Sequence, residues 1–266
     1  MATFEEVGFL ADDLGNWREL ARGKFSSAFT IADRMNAMGM RMMWALPIKD
    51  LTEERMWAVA GYAKAIESFQ CCILLAERGA LGEARALARV CAETVIVIAG
   101  LLKVEGTLEK LLEDEAKHRL GVCNRMIEFF TETGDAELCA KHKQEVAEIK
   151  AEYPDPKPLR ISALADATDM KKLYEVSFRF PSGNGAHATL GAFRRHIEEG
   201  KDGHVDKYVF NPDASDMRQT LLSATIAMMN LIGLTIHWME MKDYEAEFRD
   251  LALHWKVIRA DLLGAN

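Results

Sequence analysis

A chain of 266 residues is long enough for one large domain or two modest ones, and it can bury a core with no disulfide or metal staple. Its 33 basic and 41 acidic side chains leave a net charge of −8, which excludes a general nucleic-acid coat, because such a coat needs a basic surface to release counterions. The five cysteines contain no C-x-x-C pair and the chain opens with no secretory leader pattern, so reduced thiols in the cytoplasm are expected.

Helical signals dominate from the start. Thr3-Phe-Glu-Glu6 is a capping-box pattern, predicting an amphipathic helix that runs to near Gly23. A second helix, 26–46, stops at Pro47 and carries Met35, Met38, Met40, Met42 and Met43, an adaptable packing surface. Asp50-Leu-Thr-Glu53 caps a third that runs to Gly79. The fourth, 83–103, is the most informative. Alanines and branched apolar residues cover most of it, yet Arg85, Arg89 and Glu93 recur every four residues, within a stripe about 80° wide. A solvated first half followed by a buried second half fits that spacing. So does a polar pocket inside the bundle, in which Arg85 or Arg89 holds a small anionic ligand bidentately and Glu93 orients the arginine.

A fifth helix spans 107–133, and a charged, mostly exposed sixth spans 135–153, with His142 in solvent. Three prolines in YPDPKP, 153–158, make a stiff loop between two halves, 1–153 and 159–266, of a single domain covering 1–266. Short helical pieces at 162–168 and 169–180 follow, then a PSGNGA turn and a helix from His187 to about Glu198. The stretch 204–210, HVDKYVF, makes at best one small hairpin or extended cover, so the fold class is all-α, a multi-helix bundle. Residues 219–239 carry no charged side chain and are long enough to span a bilayer. Their Gln, Ser, Thr, Asn and His residues instead predict a central buried helix, and a membrane location is not expected. In the last helix, 243–263, Tyr244, Phe248, Leu251, Trp255, Ile258 and Leu262 form a narrow seam. It suits docking on the bundle or on a second copy, and a homo-oligomer through this helix is expected.

Cofactor signals are missing. Glu115-Ala-Lys-His118 is the one E-x-x-H, where a di-iron bundle needs two, and the zinc, phosphate-loop and dinucleotide patterns are absent, so no metal or cofactor is expected. In 173–193, Tyr174 and Ser177 share a helical face and a glycine-containing turn brings His187 to a helix start. That arrangement suits either a structural hydrogen-bond network or a ligand contact.

Arg89-x-x-x-Glu93 on an apolar helix, the following LEDEAKHRL, and Y-x-x-S with a later histidine resemble a large family of all-helical, mostly bacterial proteins classed as a domain of unknown function. The likeness covers about residues 55–240. It implies an all-helical fold and a shared polar site of Arg89, Glu93, Tyr174, His187 and a serine, either Ser177 or Ser182. A weaker likeness, Arg249 to His254 in R-x(4–6)-H form, is to the HEPN ribonucleases, and implies metal-independent RNA cleavage by those two residues. Five residues set them about 140° apart on a regular helix. Function stands between a binding or accessory module and that nuclease.

Overall fold

The computed structural model describes residues 2–12, 14, 16–47, 49–179, 189–201 and 203–262. Helix α1 (Phe4–Val7) opens at the capping box, where the Thr3 N–H donates to the Glu6 carboxylate at 2.8 Å. It does not continue to Gly23. Gly8 takes a φ of 60°, a 3-10 turn follows at Gly8–Leu10, and helix resumes only as α2 (Trp17–Lys24). The break is tertiary in origin. The Phe210 ring lies against Gly8, where a Cβ would sit 3.0 Å away, and it packs with Phe4 and Phe9.

The long helices fall close to their expected places: α3 (Ser26–Ala45), α4 (Glu53–Glu77), α5 (Leu81–Lys103), α6 (Thr107–Thr133) and α7 (Ala136–Glu152). Thr52 rather than Asp50 caps α4, its hydroxyl accepting the Arg55 N–H. Asp135 caps α7 through the Leu138 N–H at 3.0 Å. Beyond the proline loop come α8 (Ile161–Ala167) and α9 (Lys171–Leu173), which widens into a π-helical turn, Tyr174–Arg179.

The expected helix from His187 to Glu198 requires correction, although His187 itself and the PSGNGA turn lie outside the described residues. Helix α10 is only Leu190–Arg194, and the chain then forms strand β1 (Ile197–Glu199), antiparallel to β2 (Val205–Tyr208), with Ile197 opposite Tyr208. The Lys207 ammonium bonds Glu198 at 3.0 Å across the pair, so an ion pair supplies what an apolar pattern did not. Helix α11 (Met217–Trp238), a 3-10 turn at Lys242–Tyr244 and α12 (Glu245–Leu262) complete an all-α bundle with one small hairpin among the described residues.

Helix α5 packs most extensively on α4 and α11, and it also meets α8, so residues from both sides of the proline loop share one core. Two helices, α4 and α11, are long and apolar enough to cross a membrane. The apolar window of α11 is 78% buried within the chain. Four of its polar residues are satisfied inside the helix: the hydroxyls of Thr220, Thr225 and Thr235 and the amide of Asn230 each donate to the carbonyl four residues earlier. The methionine surface of α3 is core, with Met35, Met38 and Met42 fully buried. The α12 seam docks on α3 and α11 of its own chain, which buries Leu251 and Ile258. Helices α6 and α7 pair into a hairpin with a separate small apolar cluster of Ala116, Leu120 and Ile149.

Candidate functional site

The polar stripe of α5 serves three different surroundings. Arg85 is 3% exposed, and its fork closes on the start of α11: Nη1 donates to the Asp216 carboxylate at 2.8 Å and Nη2 to the Gln219 amide oxygen at 2.6 Å. Burial lowers the guanidinium pKa, and Asp216 opposes that. One turn on, the half-buried Arg89 guanidinium lies 4.3 Å from the centre of the Phe178 ring, a cation–π contact, and Phe178 stacks on Tyr174 with centroids 5.0 Å apart. Glu93 lines a groove of about 770 Å³ between α4, α5 and α6, among Trp57, Lys64, Val97 and Leu111. Burial raises its carboxyl above the usual carboxylate range, Arg89 and Lys64 act against this, and Asp114 adds to it.

Ser177 turns the other way. It is fully buried, its hydroxyl donates to the Ser223 carbonyl at 3.1 Å, and the Ser223 hydroxyl returns a bond to the Val176 carbonyl. Tyr174 and Ser177 both lie in the π-helical turn, which is wider than the α-helix on which their spacing was projected. Ser182 and His187 lie outside the described residues.

Arg85 leads to a second cluster that has no local sequence motif. Helix α5 begins at Ala80, which has no side-chain acceptor to cap it, so the N–H groups of Gly82 and Glu83 find no acceptor among the described residues. Arg195, just past α10, reaches over this helix start. A Cβ on Gly82 would sit 2.5 Å from its Nη1, so the guanidinium lies directly against the glycine and would have to move for any larger residue. Its Nη2 donates to Asp213 at 3.2 Å, and Asp213 also accepts the N–H and hydroxyl of Ser215, both at 2.8 Å. Burial alone would raise the Asp213 carboxyl, but the Ser215 and Arg195 bonds outweigh it and hold the group below its usual range. A cavity of about 350 Å³ opens there, lined by Leu81, Gly82, Arg195, His196, Asn211 and Ser215. Arg195, held by Asp213, faces this cavity, while Arg85, held by Asp216, lies behind it and is not part of the lining.

The remaining candidates lie elsewhere. Arg249 and His254 sit on exposed parts of regular α12, and His254 Nδ1 faces Arg34, which also holds Asp250. The buried Glu77 carboxylate is clamped by Arg18 and Arg22, an ion cluster tying α2 to α4 that sequence spacing does not reveal. His142 is not in solvent: its ring stacks on Phe130 at 5.7 Å and lies parallel to it within 5°.

Neither the curated proteins nor the solved structures give a significant match to this chain. A family match covers residues 55–204, more than half of the sequence, from the third residue past the α4 cap to the turn between the two strands. It therefore takes in α5, the π-helical turn and Arg195, and the chain belongs to the family of unknown function DUF5677.

Proposed function

We propose that this protein is a cytoplasmic binding or accessory module for a small anionic ligand, seated in the cavity at the start of α5. The supporting observation is Arg195. It lines that cavity beside unbonded helix amides, and only one of its five donors meets an acceptor among the described residues. Arg85 stands one turn behind and keeps the local charge balanced through Asp216. A phosphate or carboxylate entering here would take the remaining Arg195 donors and the Gly82 and Glu83 amides without disturbing Asp213. Arg89 and Glu93 lie farther along the same helix, where they set the packing of the π-helical turn and the groove. Five unpaired cysteines accord with a reducing compartment.

Isothermal titration of the full chain with inorganic phosphate tests this. Saturable binding is expected, with Arg195→Met weakening it by more than about tenfold, since a charge-assisted bond of this kind contributes about 1.5–3 kcal/mol. Lys64→Ala, in the separate groove, should leave it unchanged. No saturable heat in the wild type, or equal binding by Arg195→Met, would overturn the reading.

A further inference from the structure

The α6–α7 hairpin brings together Cys123 from α6 with His142 and Glu145, three residues apart on one face of α7. Their ligating atoms all lie within 4.8 Å of one another. The Cys123 side chain is buried, and the two α7 residues are half-buried. The two α7 side chains are held in position. The His142 ring is fixed by its stack on Phe130, and its Nδ1 is buried with no hydrogen-bond partner among the described residues, a Glu145 carboxylate oxygen lying 3.6 Å away. Arg119 donates to one Glu145 oxygen at 2.8 Å, which orients the carboxylate and leaves the other oxygen toward Cys123 and His142.

We propose that Cys123, His142 and Glu145 bind a divalent metal ion of the zinc class. A thiolate, an imidazole and a carboxylate are the donor set that zinc and cobalt accept, while calcium and magnesium prefer oxygen alone. Tetrahedral bonds to sulfur and nitrogen place those atoms about 3.3–3.6 Å apart. The present separations, all within 4.8 Å, exceed those values by no more than about 1.5 Å. Binding displaces the Cys123 proton to solvent, and the thiolate and carboxylate together balance the dication. His142 coordinates through Nδ1 and keeps its proton on Nε2. Arg119 remains outside the shell as the group orienting Glu145. The fourth position is left to water or an incoming ligand.

The location gives the ion a structural purpose. The hairpin has only a small apolar cluster of its own, so a cross-link between α6 and α7 would add what its core lacks. The site uses none of the residues assigned to the anion cavity, and the two proposals fail separately.

The test is titration of the full chain with cobalt(II), followed by absorption. One equivalent should give a thiolate-to-cobalt charge-transfer band together with the visible bands of a tetrahedral ion. Cys123→Ser should lose the charge-transfer band, and Cys139→Ser should keep it. Should Cys123→Ser fail to fold, His142→Gln supplies the same reading through a loss of affinity of more than about tenfold. Wild-type protein without the band, a band that survives in folded Cys123→Ser, or unchanged affinity in His142→Gln would each overturn the proposal.

Discussion

At the scale of single residues, Glu93 is the position where chemistry and stability meet. Burial raises its folded pKa above the unfolded value of about 4.3, so the native state holds its proton more tightly and stability falls as pH rises through that interval. The cost of ionisation is absent below the unfolded pKa and complete above the folded one. Glu93→Gln should therefore raise the denaturant midpoint at pH 7 and leave it unchanged near pH 4. A midpoint lowered at pH 7 would mean that Arg89 and Lys64 more than compensate the burial. The stripe that contains Glu93 was legible because helical spacing is local: Arg85, Arg89 and Glu93 are readable from a single turn-by-turn projection. What each of them faces was not legible. Asp216 and Gln219 stand more than 130 positions from Arg85, and Arg195 stands more than 110 from Gly82.

The elements divide along the same line. Helices that end at strong local signals, such as Pro47 for α3 or Asp135 for α7, were readable nearly to the residue. Elements ended by distant packing were not: α1 stops where Phe210 meets Gly8, and β1 is a strand only because β2 lies beside it. Helix α12 shows how an apolar seam can be read correctly while its partner stays open. Spacing allowed either the bundle or a second copy, and the inner face is occupied by α3 and α11 of the same chain. Leu251, 1% exposed, is accordingly a core residue. Leu251→Ala should cost about 2–5 kcal/mol in chemical denaturation. A change below about 0.5 kcal/mol would place that side chain at a surface.

Across the whole molecule, apolar burial is unevenly shared. One large cluster runs through α3, α4, α5 and α11, whereas the distal parts of α6 and α7 hold each other through Ala116, Leu120 and Ile149. Such an arrangement separates into cooperative units on different timescales of opening. In the metal-free protein, amide hydrogens of 116–149 should exchange through a local excursion, well before those of 88–100, which wait for global unfolding. Hydrogen-exchange mass spectrometry reads this directly, and equal protection of the two segments would show a single cooperative unit. The same excursion exposes Lys141, Lys143 and Lys150 to trypsin, so the first nick should fall in α7, with the two fragments remaining associated through the helices that never opened.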